Sequence, residues 1–167
     1  MESTVRKTTK ASRSGGSAIA PSAAPILGFA GVYLASPLER VETIRRGLPA
    51  SVVVETGEAM NLSRERLYTL LDLPRATLAR KISAKALLSP EMSERLLGLH
   101  KLIGQVEVMV RQSGDPEGFG AARWVAEWLS QPSPALGGRQ PGELMDTVEG
   151  QEIVSGLIAR MQSGAYT

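Results

Sequence analysis

The apolar residues of this chain are spaced for helices, and this spacing limits the fold more than any other feature. From Pro37 onward they recur at steps of three and four, and no convincing run of apolar and polar alternation appears. Residues three and four apart share one face of a helix, whereas a strand needs a period of two. The run Val52 to Val54 could equally mark a short strand, but its surroundings favour a helix from about Ala50 to Met60. The sequence therefore predicts an all-α fold.

The expected helix boundaries are marked by serine, proline and glycine. Ser36-Pro37 and Ser89-Pro90 each place a capping hydroxyl before a proline, which suits the first helical position. Ser63 precedes a helix through Leu71, and Gly47 ends the helix that starts at Pro37. Further helices are expected from Pro74, from about Glu117 to Leu129, and from about Thr147 to Gln162.

The helix that opens at Ser89-Pro90 is expected to be the longest. It carries an apolar stripe formed by Met92, Leu96, Leu99, Ile103, Val106 and Val110. Such a stripe is typical of the core face of a long helix or of a dimer seam, and the core face is the more common. Trp124 and Trp128 lie one turn apart on the next helix, where they suit the core or, for one indole, a partner interface.

The composition limits the chemistry and the compartments open to the chain. Its 167 residues suffice for one domain or two small helical lobes, and they include no cysteine, so disulfide and thiolate chemistry are excluded. No apolar stretch reaches the roughly 18 residues of a membrane span, and no secretory signal is recognisable, so we expect a cytoplasmic protein. Residues 1–25 are rich in Ser, Thr, Ala and Gly and are predicted to form a disordered basic tail.

The run Leu67 to Lys81 has the spacing of a helix-turn-helix. Asp72 stands where many such turns carry glycine, a mild departure because aspartate tolerates the left-handed conformation. Residues 61–89 hold six cations against two acids, and a basic exposed helix suits DNA phosphates and base edges. The alternative for such a pair is an ordinary solvated or packing element. The candidate DNA-binding residues are Arg64, Arg66, Arg75, Thr77, Arg80 and Lys81.

The last third of the chain has a specific order of turn, cap, helix and stop. Trp124 to Leu129 reads W-x3-W-L, and residues 135–147 read A-L-G-G-R-Q-P-G-E-L-M-D-T. Residues 149–167 then read E-G-Q-E-I-V-x-x-L-I-A-R-M-Q-S-G-A-Y-T. This order resembles the toxin-binding domain of the Xre/MbcA/ParS antitoxins, and a looser Xre-like helix-turn-helix pattern runs upstream from about Pro37. Leu144-Met145 replaces the Leu-Leu of many members, which conserves volume.

The resemblance implies a partner and a set of binding residues. In these antitoxins the C-terminal domain binds a RES-domain toxin, an enzyme that consumes NAD by hydrolysis, phosphorolysis or ADP-ribosyl transfer. The antitoxin's C-terminal segment blocks the NAD pocket. It further implies an Xre-like helix-turn-helix domain over residues 26–89 and a helical toxin-binding domain over residues 90–167. The corresponding toxin-binding residues are Arg139, Pro141, Thr147, Gly150, Arg160, Gly164, Ala165, Tyr166 and Thr167.

An enzymatic function has little support. His100 is the single histidine, and no paired His or Cys spacing suits a metal, so it is expected to be a surface or hydrogen-bonded residue. Residues 90–167 carry a net charge of −4, and the contrast with the basic segment suggests two separate partners. We therefore expect a cofactor-free antitoxin that forms a homodimer within a toxin complex and binds operator DNA. The alternative is a stand-alone transcriptional regulator whose C-terminal domain only dimerises.

Overall fold

The computed structural model describes residues 28–114 and 117–162, and these residues form eight α-helices without a strand. Two short 3-10 helices, Pro134–Leu136 and Pro141–Leu144, lie between the last two α-helices. The all-α prediction is therefore confirmed. The α-helices are α1 Phe29–Leu34, α2 Pro37–Arg46, α3 Ser51–Met60, α4 Arg64–Leu70, α5 Arg75–Ser83, α6 Pro90–Ser113, α7 Ala121–Leu129 and α8 Val148–Gln162.

The serine caps that the sequence predicts are all present. The Ser36 hydroxyl accepts from the backbone N–H of Glu39, whose carboxylate accepts from the N–H of Ser36 in return. This reciprocal pair satisfies donors that the first turn of a helix leaves without partners. The hydroxyls of Ser63 and Ser89 each accept from the N–H three residues later, at 3.3 Å. Gly47 ends α2 with a φ of +87°, a conformation that favours glycine.

The Val52 to Val54 run is helical. Val52 and Val53 are buried within α3, so the strand alternative is wrong. The only strand-like pairing among the described residues is an isolated antiparallel bridge between Pro49 and Leu87. This bridge joins the loop before α3 to the loop before α6. Beside it, the N–H of Leu88 donates to Leu48 O at 2.7 Å.

Helix α6 is the centre of the molecule, because α1, α2, α7 and α8 all pack against it. The predicted apolar stripe of α6 from Met92 to Val106 is buried, and Val110 is half-buried. The stripe is thus the core face of α6, and the dimer-seam alternative is wrong. Among the described residues, no helix is long and apolar enough to cross a membrane.

Helix α1 was not predicted from the sequence. It crosses α6 at Gly104, where an added Cβ would lie 1.9 Å from the carbonyl oxygen of Phe29. The glycine therefore allows the two backbones to approach closely. The N–H of Ala30 donates to the carboxylate of Glu107 at 2.9 Å, which caps the first turn of α1. Six residues are too few to show a helical period in the sequence. A helix this short is stable only through tertiary contacts, which here come from the crossing with α6.

Helix α7 begins at Ala121, four residues later than predicted. Gly118 has a φ of +79° and Gly120 precedes the first helical residue, so the chain is held in turns before α7 starts.

Candidate DNA-binding and toxin-binding surfaces

Helices α4 and α5 form the predicted helix-turn-helix. Leu67, Leu71 and Leu78 are fully buried and hold the pair on the core. Asp72 adopts the left-handed conformation with a φ of +46°, as its place in the turn predicts. The N–H of Leu73 then donates to Tyr68 O at 2.8 Å and closes the turn.

The side chain of Arg95, on α6, holds the turn between α4 and α5 in place. Its guanidinium donates to the carbonyl oxygens of Leu71 and Asp72, at 3.3 and 2.6 Å, and to the Asp72 carboxylate at 3.3 Å. Its second amino group pairs with Glu91 at 3.0 Å. The planar guanidinium presents several donors in a fixed arrangement, so one side chain sets the relative position of α4, α5 and α6. The sequence analysis did not identify this residue, because its role depends on a contact 23 residues away.

The six candidate DNA-binding residues lie on α4 and α5. Arg64, Arg66, Arg75 and Arg80 are exposed, whereas Thr77 and Lys81 are half-buried. The Arg75 guanidinium donates to the Thr69 hydroxyl at 3.4 Å, and the Lys81 ammonium donates to Leu87 O at 2.8 Å. The four exposed arginines are therefore the candidates that are most accessible to a phosphate backbone.

The Arg139 to Glu143 turn is held by a capping box of its own. The Glu143 carboxylate accepts from the N–H of Gln140 at 3.2 Å and from the Arg139 guanidinium at 3.1 Å. These contacts lower the pKa of Glu143 below its ordinary value. The backbone hydrogen bond from Gln140 is the largest cause, and the hydrogen bond and charge of Arg139 add to it. Pro141 is buried in this turn and Arg139 is exposed. Of the two toxin-binding candidates here, only Arg139 offers its side chain to a partner.

The start of α8 is fixed by close backbone packing. The Thr147 hydroxyl accepts from the N–H of Gly150 at 3.1 Å and so caps the first turn of α8. An added Cβ at Gly150 would lie 2.0 Å from Leu144 O, so any side chain there would separate α8 from the preceding turn. Gly150 is buried, and it can therefore serve toxin binding only by shaping this region.

Gln151 joins the start of α8 to α6. Its buried amide donates to Met145 O at 2.9 Å and to the backbone carbonyl of Arg95 at 3.1 Å. The last toxin-binding candidates follow at the other end of the helix. Arg160 is exposed near that end, whereas Gly164, Ala165, Tyr166 and Thr167 lie outside the described residues.

The helix-turn-helix and the Pro141 turn border one cleft of about 630 Å³. Arg66 and Arg75 line it from the helix-turn-helix, and Gln140, Glu143 and Asp146 line it from the Pro141 turn. At Gly142 an added Cβ would lie 2.9 Å from Leu129 O, so the turn sits tightly against the end of α7. The charge contrast suggested two separate partners, but the turn that carries Arg139 and Pro141 lies beside the helix-turn-helix. No local pattern could have indicated this, because the turn and the helix pair are about 70 residues apart.

His100 is not part of either surface. It is buried, and its Nε2 lies 2.7 Å from the Thr56 hydroxyl, which donates its own proton to Val52 O at 2.6 Å. The histidine is therefore hydrogen-bonded within the core, as one of the two sequence interpretations expects. Burial lowers its pKa to about 4. Among the described residues, no cluster of three His, Asp or Glu side chains could hold a metal ion.

Comparison with known proteins assigns a family to both halves of the chain. Residues 39–99 match the family model of the antitoxin Xre-like helix-turn-helix domain. Residues 117–164 match that of the antitoxin Xre/MbcA/ParS C-terminal toxin-binding domain. A protein of Sphingobium sp. (strain YBL2), named Prs ADP-ribosylating antitoxin, is 43% identical over 142 residues, which cover 85% of this chain and 89% of that protein.

These relatives are antitoxins and not enzymes, and a toxin-binding domain favours an antitoxin over a stand-alone regulator. The chain thus belongs to the Xre/MbcA/ParS antitoxin family, as an antitoxin of a toxin–antitoxin system with an Xre-like helix-turn-helix domain and a C-terminal toxin-binding domain.

Proposed function

We propose that this antitoxin neutralises a RES-domain toxin that consumes NAD, and that its C-terminal segment blocks the toxin's NAD pocket. The match of residues 117–164 to a toxin-binding domain carries this proposal. The fixed start of α8 supports it, because the helix is anchored at Gly150 and Gln151 and delivers the end of the chain from a defined position. The name of the Sphingobium relative, Prs ADP-ribosylating antitoxin, suggests which chemistry the toxin performs.

We assign that chemistry to the partner toxin. The antitoxin's one histidine is buried and hydrogen-bonded, and its family domains bind toxin or resemble DNA-binding helices. Transfer of ADP-ribose consumes NAD, so it agrees with a toxin whose NAD pocket must be blocked. The proposed partner is therefore a RES-domain ADP-ribosyltransferase, and the antitoxin itself needs no cofactor.

Removal of the chain after Ser163 tests the blocking mechanism. The deleted residues Gly164, Ala165, Tyr166 and Thr167 follow the helices of the core, so circular dichroism should be unchanged. The truncated antitoxin should still co-purify with the toxin, because the rest of the toxin-binding domain is intact. The toxin in this complex should nevertheless still consume NAD. A truncated protein that binds and inhibits as the full chain does would show that inhibition arises elsewhere, with Arg139 and Arg160 the next residues to test.

We further propose that the helix-turn-helix binds the operator of its own operon through the exposed cations of α4 and α5. Arg80 is the sharper test, because Arg75 also borders the cleft shared with the Pro141 turn. Arg80→Ala should weaken operator binding and reduce the log-log salt slope by roughly one unit if the contact is to a phosphate. A base contact would instead cost about 1–3 kcal/mol at one position of the operator.

The control for this test is Arg111→Ala. Arg111 is also an exposed arginine, but it lies 16 residues beyond Arg95 on α6, about 24 Å along the helix axis. It should bind operator as the wild type does. Equal operator binding by Arg75→Ala, Arg80→Ala and the control would refute the assignment of α5 as the recognition helix.

The proposed complex is a homodimer of the antitoxin with bound toxin, and it acts in the cytoplasm, where NAD and operator DNA are both present. Analytical ultracentrifugation of the antitoxin alone and with toxin measures this directly. A single antitoxin chain in both samples would contradict the dimer.

A further inference from the structure

The toxin-binding domain contains an apolar groove that neither candidate surface includes. The groove has a volume of about 270 Å³ and lies where the ends of α6, α7 and α8 meet. Met109 and Val110 lie on the α6 side, Phe119 and Trp124 on the α7 side, and Met161 on α8. Seven of its eight lining residues are apolar, so water inside it has almost no hydrogen-bonding partner.

A row of three aromatic side chains extends from this groove along α7. The rings of Phe119 and Trp124 have centroids 6.3 Å apart, and those of Trp124 and Trp128 are stacked at 5.9 Å. Phe119 is 39% exposed and both tryptophans are half-buried. These are the three aromatic residues that the structure describes between 117 and 162. Tryptophan, phenylalanine and methionine are enriched at the centres of protein interfaces, and tryptophan is frequent among residues that dominate binding energy.

The position of the groove favours the toxin as its occupant. Phe119, Trp124 and Met161 all lie within the residues that match the toxin-binding domain. Gln162 lines the groove as well, and the segment that we propose to enter the toxin begins two residues later in the sequence, at Gly164. A toxin that binds that segment would therefore lie close to the groove.

We propose that the groove beside the Phe119–Trp124–Trp128 row is the docking site for an exposed apolar side-chain cluster of the toxin. This docking rests on the proposed function and deepens it, because it supplies a binding contact distinct from the segment that blocks the NAD pocket. Docking contributes affinity, whereas the C-terminal segment contributes inhibition.

Binding of full-length variants to the RES-domain toxin, measured by isothermal titration calorimetry, tests the docking site. Phe119→Ala removes an exposed ring in a loop, and Met161→Glu places a charge at the groove's edge in the last turn of α8. Each should weaken toxin binding at least tenfold, which is about 1.4 kcal/mol. Met161→Leu conserves apolar volume and should bind within about threefold of the wild type.

Leu38→Ala is the matched control for loss of an exposed apolar side chain. Leu38 is 66% exposed on α2, outside the toxin-binding domain, and its removal should leave toxin affinity unchanged. Circular dichroism of each variant separates a lost contact from a lost fold. If Met161→Glu unfolds, Phe119→Ala alone tests the docking site, because Phe119 lies in the loop before α7 and its removal should not disturb a helix.

Three outcomes would overturn the docking site. If Phe119→Ala and Met161→Glu bind and inhibit the toxin as the wild type does, the groove is not used and the proposed function stands. If these variants lose self-association but keep toxin affinity, the groove holds a second copy of the antitoxin. If removing residues 164–167 shifts the tryptophan emission of the free antitoxin, its own C-terminal segment occupies the groove. Wild-type antitoxin that fails to bind any RES-domain toxin would instead refute the proposed function itself.

Discussion

The buried histidine of α6 should make the stability of this protein depend on pH. His100 is the only histidine, and its Nε2 donates to Thr56, whose single proton is already given to Val52. An imidazolium could donate to Thr56 as well, so it is burial, which lowers the pKa, that favours the neutral ring in the folded protein. The ring also makes a T-shaped contact with Phe29, with centroids 4.8 Å apart, and it is buried, so protonation would place a positive charge in an apolar environment.

The expected loss of stability follows from the two pKa values. Burial lowers the pKa of His100 to about 4 in the folded protein, whereas an unfolded histidine has a pKa of about 6.5. Between these values the unfolded state binds the extra proton and the folded state does not, so the free energy of unfolding falls as the pH falls. The stabilisation is complete above about pH 6.5 and is lost towards pH 4. From about pH 7.5 to about pH 5 the loss should be roughly 2 kcal/mol.

Urea unfolding followed by circular dichroism at the two pH values measures this loss. His100→Gln is the matched variant, because an amide can still donate to Thr56 but does not titrate. The exposed carboxylates of Glu39 and Glu143, whose pKa values are lowered, titrate in both proteins and cancel in the comparison. The wild type should lose about 2 kcal/mol more than the variant. An equal loss in both proteins would refute the argument from the buried imidazole.

Two further changes probe how helices meet α6. Gly104→Ala places a methyl group against Phe29 O and should destabilise the protein by about 1–3 kcal/mol, because a backbone must move. Its control is Gly156→Ala in α8, where the nearest atom would lie 3.8 Å away, and thermal unfolding should find that protein unchanged or up to about 1 kcal/mol more stable. Gln151→Leu removes the two hydrogen bonds that hold the start of α8, including the one to Met145, and should cost about 2–3 kcal/mol. Chemical denaturation of Gln151→Leu would contradict this if its midpoint equalled that of the wild type.

Local chemistry predicted most of the helices of this protein. Ser36, Ser63 and Ser89 cap helices because their hydroxyls satisfy donors within three residues, and the sequence alone reveals that relation. The same holds for Asp72, whose left-handed turn needs only its own tolerance of positive φ.

The sequence could not reveal the contacts that connect these helices. Gly104 and Gly150 must lack a side chain because the backbone of another segment lies against them. The neighbouring residues in the sequence do not indicate that contact. Arg95 and Gln151 likewise serve partners 23 to 56 residues away. For this reason the candidate residues could be proposed from the sequence, while the cleft between the helix-turn-helix and the Pro141 turn could not.

The anchored start of α8 turns this helix into a spacer of fixed length and phase. From Gln151 to Gln162 it advances about 16 Å, and each residue turns the chain by about 100°. One residue inserted beyond the anchor would leave Gly150 and Gln151 in place. It would carry the end of the chain about 1.5 Å further and rotate it by more than a quarter turn. Insertions of this kind would thus redirect the C-terminal segment towards a differently shaped toxin while the core that holds the helix stays the same.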